Sequence, residues 1–222
     1  MPNPQKIFLG LLAMSNSPEL AAGKQTDSCP GFPPNTIEFS SLFHQPTPPL
    51  VSNEFKASWI QHKWNVNISH ITGGFLYNSP TAGKVRVDQS YDMNIGSSIF
   101  DYTNISSNGL VSNIMYLFTP SIASPPSIFS DYVNSNFPLF TQDMLQTNGA
   151  VFTGLTHRDK NGKVASWSFL YQNAIPVTVF LNECNTVVGY DYFAPEFRTR
   201  VVTEFFNVEV GLVPGEVFKL PP

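Results

Sequence analysis

The amino-acid sequence predicts an all-β protein. We expect a single large curved antiparallel sheet or an incompletely closed β-barrel, with an internal hydrophobic cavity and few short helices. The chain of 222 residues contains 19 Phe, 8 Tyr and 3 Trp, and only 13% of its residues are charged. Aromatic and β-branched residues are typical of strands, while 19 Pro and 14 Gly supply the turns between them. From Ala57 onward, apolar and polar residues alternate with a period of two.

The first alternating segment follows Ala57, and its two faces differ in composition. One face carries only aliphatic, aromatic and histidine side chains. These are Ile60, His62, Trp64, Val66, Ile68 and His70. The other face includes Asn67, the acceptor of an N-glycosylation sequon, and a glycosylated asparagine must lie outside the protein. We therefore expect the first face to point inward and the strand to end at Gly73-Gly74.

Further strands follow at short intervals. The glycine-bearing loop 78–83 predicts a hairpin between 75–77 and 84–88, and Asn161-Gly162 predicts another because these residues tolerate positive φ. The other strand candidates are 98–102, 109–118, 149–157, 163–171, 177–182, 186–193 and 200–210. Short helices are expected around 127–133 and 138–145. Short connections predict an antiparallel meander, and a sheet of about eight or more strands must curl or close to manage its edges.

Domain organisation and location are predicted from proline, cysteine and sequon positions. Residues 1–54 are expected to form an irregular arm and residues 55–222 the sheet domain. Residues 1–23 carry the pattern of a signal-peptide remnant or of an ordered N-terminal segment. Two cysteines, Cys29 and Cys184, and two sequons, at Asn67 and Asn104, predict secretion or residence in the secretory-pathway lumen. Two buried thiols remain the alternative.

Charge and motif content disfavour several classes of protein. The net charge is −4 and the basic residues are scattered, so nucleic acid is not an expected partner. No stretch approaches the roughly 18 apolar residues that a membrane span needs. The sequence lacks a phosphate-binding loop, a nucleophile elbow and metal-ligand spacings, so neither a cofactor nor a metal is expected. His62 and His70 would lie about 26 Å apart on one strand. An exposed sheet edge leaves a homodimer open.

Aromatic side chains are the main candidates for contact with a ligand. Trp167, Phe169 and Tyr171 repeat on a later strand the alternation of the first, although an ordinary core is lined by the same residue types. The predicted ligand-binding residues are Ile60, His62, Trp64, Val66, Phe75, Tyr77, Trp167, Phe169 and Tyr171. Three hydrogen-bond donors, His62, Tyr171 and Arg198, are the candidate catalytic residues because each could polarise a bound molecule.

Three stretches of the chain resemble the ependymin-related family. They are the segment Ser28-Cys29-Pro30-Gly31-Phe32-Pro33, the hairpin of 74–88, and the region from Cys184 to the terminal Pro221-Pro222. The resemblance implies a deeply curved, incompletely closed antiparallel barrel, shared with bacterial lipoprotein carriers, and a Cys29–Cys184 disulfide. In the chain-entropy model that bridge, closing a loop of roughly 155 residues, would stabilise the fold by about 4 to 5 kcal/mol. The chain lacks the family's additional cysteines, so we expect a divergent member.

The sequence predicts a secreted protein that binds an apolar small molecule in the cavity. The candidate ligands are a terpenoid, a sterol and a fatty acid. Fungal hetero-Diels–Alderases of tropolone sesquiterpenoid pathways are also many-stranded β-barrel proteins. The resemblance to such scaffolds makes a cofactor-independent pericyclase the alternative function, in which a terpenoid polyene joins a reactive heterodiene. Orientation of two reactants and one hydrogen-bond donor suffice for this chemistry, so the absence of catalytic motifs does not exclude it.

Overall fold

The computed structural model describes residues 28–34, 45–67, 69–91, 94–119 and 125–219. Within them, the chain is all-β, as predicted, and has one sheet and a single short α-helix, α1 (Met144–Thr147). The strands are β1 (Phe55–Trp64), β2 (Ser69–Ser79), β3 (Lys84–Tyr91), β4 (Asn94–Ile105), β5 (Val111–Phe118), β6 (Ser127–Val133), β7 (Val151–Arg158), β8 (Gly162–Tyr171), β9 (Ile175–Leu181), β10 (Val187–Ala194) and β11 (Thr199–Val210). A 3₁₀ turn, Gly215–Phe218, follows them.

The eleven strands form an antiparallel sheet in the order β6-β5-β4-β3-β2-β1-β11-β10-β9-β8-β7. Two meanders, β1 to β6 and β7 to β11, therefore meet where β1 pairs with β11 at the centre. The two edges, β6 and β7, do not pair, so the sheet is not closed. The predicted hairpin at Asn161-Gly162 joins β7 to β8. The expected helix around 127–133 is wrong, because these residues form the edge strand β6.

One face of the sheet carries the hydrophobic core. On β1 the buried side chains are those of Phe55, Ala57 and Trp59, every second residue, and Trp59 is 1% exposed. The segment that crosses from β6 to β7, residues 134–150, lies against this face and buries Phe137 and Phe140 on it. Phe137 packs edge-on against Trp59 with ring centroids 4.9 Å apart. We call this covered side the core face and the opposite side the outer face.

The sheet must bend strongly toward the core face. Tyr102 on β4 donates its hydroxyl to the Phe137 carbonyl at 2.6 Å, and Tyr190 on β10 donates to the Asn136 carbonyl at 2.6 Å. Five strand spacings separate β4 from β10, which is about 24 Å in a flat sheet. Two tyrosine side chains cannot span that distance to reach neighbouring carbonyls. The core face is therefore the concave face, as the predicted curvature requires.

A disulfide attaches the segment 28–34 to the turn between β9 and β10. Cys29 is bonded to Cys184, the pairing that the family resemblance implies. Next to the bridge, the Gly31 N–H donates to the Glu183 carbonyl at 3.0 Å, and Phe32 packs against the core. Ser52 forms a bridge with Thr186 of the same turn. Residues 1–27, on which the signal-peptide prediction rests, lie outside the described residues.

Candidate functional site

The concave face is filled mainly by the crossing segment, and tyrosine hydroxyls hold that segment in place. Tyr190 donates to the backbone carbonyl of Asn136, and Tyr192 donates to its side-chain Oδ1 at 3.0 Å. Tyr102 donates to the next carbonyl, that of Phe137. Phe140 then inserts between Phe55, Tyr190 and Phe205. The inner side of the sheet is thus a packed core over much of its area.

Burial suppresses ionisation of these tyrosines. It raises the pKa of Tyr192 to about 12 and raises the pKa values of Tyr102 and Tyr190 above their ordinary value. For Tyr190 the neighbouring Tyr192 adds to the effect of burial. Each phenol is therefore neutral, and is available as a hydrogen-bond donor, at physiological pH.

We predict that the protein loses stability steeply above about pH 10. The folded state keeps phenol protons that the unfolded state releases above a pKa of about 10, so stability present at neutral pH falls as the pH rises toward the folded pKa. Because only the folded state keeps the Tyr190 proton, this residue alone should lower the free energy of unfolding by about 1.4 kcal/mol per pH unit in this range. Urea unfolding between neutral pH and pH ~11 measures the slope. Tyr192→Phe should flatten the slope, whereas Tyr132→Phe, at an exposed position, should not; equal slopes would contradict the prediction.

The outer face has a groove of about 520 Å³ at the centre of the sheet. Its apolar walls come from three strands: Ile60 of β1, Ile71 and Phe75 of β2, and Phe206 of β11. Ile71 and Phe75 are 60% and 56% exposed. Ser58 and Ser90 add hydroxyl groups to the lining. The groove therefore combines large uncovered apolar side chains with a few polar groups, which is the usual make-up of a small-molecule site.

Two glycines create the floor of this groove. Gly73 lies in the register between Ile60 of β1 and Ser90 of β3, where any other residue would place a side chain. A Cβ atom at Gly73 would lie 3.2 Å from the Trp59 carbonyl oxygen, and one at Gly74 would collide with the Asp88 carbonyl. The prediction that Gly73-Gly74 ends a strand is wrong, because both residues lie within β2. Both glycines permit a close backbone approach, and Gly73, which pairs with Ile60 on the outer face, leaves the depression open.

Polar and charged groups border the groove on several sides. His62 is paired in register with Ile71, and its ring stands edge-on to Trp64 with centroids 5.2 Å apart. On β3, Arg86 Nε lies 2.8 Å from Asp88 Oδ1, and Asp88 is the register partner of Phe75. An apolar molecule in the groove would thus have an imidazole ring near one end and an ion pair near the other.

A second ion-pair cluster lies on the outer face beside the groove. Arg158 Nη1 is 3.1 Å from Asp191 Oδ2, and Nη2 is 3.5 Å from Glu204 Oε1. The guanidinium also lies 4.1 Å from the centroid of the Phe180 ring. Burial raises the pKa of Asp191, while Arg158 opposes that rise. Since Arg158 belongs to the tip of the β7–β8 hairpin, this cluster fastens the tip onto β10 and β11.

The structure corrects the predicted orientation of the first strand. Ile60, His62 and Trp64 share one face, as expected, but it is the outer face, because Phe55, Ala57 and Trp59 occupy the core face. The strand also ends at Trp64, and Val66 lies exposed in the β1–β2 turn. Since β2 begins at Ser69, His62 and His70 are not on one strand; they sit on neighbouring strands and opposite faces.

The other predicted site residues are divided between the two faces. Ile60 and Phe75 line the groove, and Tyr77 follows Phe75 on the outer face, with Arg86 6.0 Å from its ring centroid. On the core face, Trp167 is fully buried, Phe169 is half-buried and Tyr171 is exposed. Arg198 is exposed in the β10–β11 turn at φ 46°. Their roles in binding or catalysis stay predictions.

Of the residues that line the groove, the sequence analysis predicts only Ile60 and Phe75 as ligand-binding residues. Ile71, Gly73 and Phe206 are the most important of those that it misses. The sequence pattern places Ile71 and Gly73 at the end of the first strand, whereas in the structure both belong to a separate strand, β2, which runs to Ser79. Phe206 belongs to the last strand, which is distant in sequence and is brought beside β1 only by the β1–β11 pairing. The alternation of Ile71, Gly73 and Phe75 on one strand was the available signal for two of them.

Sequence and structure comparisons give only distant similarities. No family model matches the chain, and no curated protein matches its sequence. One similar structure is a DUF1329 family protein from Desulfovibrio piger, at 8% identity and TM-score 0.36, covering 75% of this chain and 90% of the other. A putative outer membrane lipoprotein-sorting protein domain from Vibrio parahaemolyticus matches at 7% identity and TM-score 0.33, covering 75% and 89%. MucB in complex with MucA(peri) matches at 8% and 0.32, covering 73% and 52%.

The described residues hold no group of three or more His, Cys, Asp and Glu residues placed to bind a metal ion. In the same part of the chain, no helix is long and apolar enough to cross a membrane.

Proposed function

We propose that this protein binds an apolar small molecule in the groove on the outer face. The observation that carries the proposal is the pair of Ile71 and Phe75, both more than half exposed beside a depression of about 520 Å³. Small-molecule sites typically measure about 300–1,000 Å³ and are lined mainly by apolar groups. Full burial of such a side chain from a fully exposed state is worth about 1.5–3 kcal/mol, and covering the exposed 60% of Ile71 or 56% of Phe75 provides a corresponding part of it.

The lining favours a compact ligand with few polar groups. Ile60, Ile71, Phe75 and Phe206 offer apolar contact on several sides, and the side-chain-free floor at Gly73 allows a flat ring system to approach the backbone. Ser58 and Ser90 could each exchange a hydrogen bond with a hydroxyl or carbonyl group. Terpenoids and sterols have this combination of rings and isolated oxygens, and a fatty acid is the third candidate class.

We also propose that the protein is secreted and is a divergent relative of the ependymin-related family, with residues 1–54 as its arm. The Cys29–Cys184 disulfide supports both statements, since disulfides persist in oxidising compartments and this pairing is the one the resemblance implies. Asn67 and Asn104 are both exposed, as glycosylation requires. Treatment of the protein from a secretory host with an N-glycosidase should reduce its mass; an unchanged mass would count against glycosylation.

Phe75→Ser is the variant that tests the groove. We expect it to weaken binding of a fluorescent apolar probe, N-phenyl-1-naphthylamine, by about tenfold or more, because an aromatic wall is lost. Displacement of the probe by a sterol, a fatty acid or a sesquiterpenoid then ranks the ligand classes. Ile105→Ser is the matched control, since Ile105 is 53% exposed and lies away from the groove. Equal affinities for the two variants would contradict the proposal.

A cofactor-independent pericyclase is the second candidate function, and the position of His62 favours it. His62 shares the outer face with the groove and lies in register with Ile71, whereas Tyr171 projects from the core face. An imidazole N–H beside an apolar groove could polarise the heterodiene while the walls orient the polyene. His62→Phe should abolish product formation from a terpenoid polyene and a quinone-methide precursor without weakening probe binding. Turnover that survives this change would exclude His62 as the donor.

A further inference from the structure

The strand directions bring five turns to one end of the sheet. Strands β1, β3, β5, β8 and β10 run the same way, because each is separated from the next in this set by one antiparallel partner or, across the centre, by β11. Their ends therefore lie together. Since the sheet curves, the turns that follow these strands form an arc rather than a straight row.

An exposed large apolar residue lies in, or within a few residues of, each of these five turns. We call this set the hairpin-tip surface: Val66, Ile95, Phe118, Leu170, Phe193 and Phe197. Val66 and Phe197 are 67% and 66% exposed. Trp64 and Tyr171 lie beside them and are also exposed. At the opposite end, Ile105 next to the β4–β5 turn is 53% exposed, and Leu50, Val210 and Leu212, which lie where β1 begins and β11 ends, are 49%, 55% and 78% exposed. Exposed apolar residues thus occur at both ends, and the hairpin-tip surface differs in having one beside each of its turns.

The charges at this end are also unlike those of the whole chain. Lys63, Arg198 and Arg200 lie in or next to the tips, and Glu196 is the acidic residue among the described tip residues. Asp92, between β3 and β4, is outside the described residues. The chain as a whole carries a net charge of −4. Among the described residues at these tips, three basic side chains thus accompany one acidic side chain, in a protein that is acidic as a whole.

We propose that the hairpin-tip surface docks onto an anionic lipid surface. Neighbouring tips are two strands apart, about 10 Å, so their apolar side chains project separately instead of forming one continuous patch. A fluid interface can receive separate side chains to a depth of about 5–10 Å, and basic residues near anionic headgroups add affinity. Trp and Tyr are the residues that favour the boundary between water and lipid. A stable protein partner would instead require a packed patch of about 800 Å².

Tryptophan fluorescence offers a direct test because the three tryptophans differ in exposure. Trp64 is 38% exposed at the hairpin-tip surface, whereas Trp59 and Trp167 are 1% and 0% exposed. On phosphatidylcholine vesicles containing phosphatidylserine and brominated acyl chains, Trp64 should be quenched as it meets the acyl region. The Trp64→Phe variant should lose this quenching while it still cosediments with the vesicles. Cosedimentation without quenching of the unmodified protein would overturn the orientation proposed here.

The binding experiment compares tips with the opposite end of the sheet. The double variant Val66→Ser/Phe197→Ser should bind phosphatidylserine-containing vesicles about tenfold or more weakly, whereas Ile105→Ser should bind normally. Binding should also weaken on pure phosphatidylcholine and at raised salt.

The proposal fails if the unmodified protein does not bind, or if both variants lose affinity equally. A concentration-dependent dimer abolished by the tip substitutions would assign this surface to a second copy instead. Phe75→Ser should leave vesicle binding unchanged, which separates this proposal from the groove.

Discussion

Replacing both cysteines by serine is expected to lower the free energy of unfolding by about 4 to 5 kcal/mol. The Cys29–Cys184 bridge spans 155 residues, and a cross-link over so long a loop removes much of the conformational freedom of the unfolded chain. In the folded state it also keeps Gly31 against Glu183 and Phe32 against the core. Urea unfolding of the double variant at neutral pH measures the loss.

Reduction provides the control for this prediction. Treatment with a thiol-free reductant should lower the stability of the unmodified protein by a similar amount and should not change the double variant. Hydrogen exchange should show the largest loss of protection around 29–32 and 182–186, where the bridge attaches the arm. The interpretation fails if reduced and oxidised proteins unfold at the same urea concentration.

Phe140→Ala is expected to destabilise the fold by about 3–5 kcal/mol, the usual cost of removing a fully buried aromatic ring. Phe140 is 0% exposed and its ring lies 5.6–6.1 Å from the centroids of Phe55, Tyr190 and Phe205. It is the side chain through which the crossing segment joins β1, β10 and β11. Loss of the ring leaves a cavity at the point where the two meanders meet.

The matched control is Phe197→Ala, the same substitution at a residue that is 66% exposed. It should change the free energy of unfolding by less than about 0.5 kcal/mol, as exposed positions usually do. Phe140→Leu, which fills part of the space, should cost less than Phe140→Ala. A cost at Phe140 no larger than at Phe197 would show that the crossing segment does not hold the meanders together.

The division between the two faces has a consequence for function. The concave face stabilises the protein, while the groove lies on the other side and its walls are already exposed. Variants of Phe75 or His62 should therefore alter binding or turnover without the large stability changes expected at Phe140. Ligand binding and folding can be measured separately in this protein.

Strand positions could be predicted because they depend on local sequence. Alternation placed the later strands near their observed bounds, and the Asn161-Gly162 turn located the β7–β8 hairpin. The sequence of β6 predicts a helix rather than a strand, because it shows no alternation of apolar and polar residues. In the structure, six of its seven residues are exposed. At a sheet edge, pairing with β5 on one side decides the conformation, and that partner is not visible in the sequence of β6.

The direction in which β1 faces could not be predicted from its own sequence. Both sets of alternate residues contain a tryptophan, Trp59 on one face and Trp64 on the other, and choosing the other set exchanges every side chain between core and solvent. The glycosylation sequon at Asn67 does not decide between the two faces, because Asn67 lies in the turn beyond the strand. What buries Trp59 is Phe137, which is distant in sequence.

By itself, the sequence determined the all-β class, the meander and most strand bounds, since periodicity and turn residues act over a few neighbouring positions. Family resemblance supplied the disulfide pairing. Only the tertiary structure decided that β1 pairs with β11, that the crossing segment fills the concave face, and that the uncovered groove lies on the outer face. These features depend on contacts between residues far apart in the chain, for which the local pattern carries no signal.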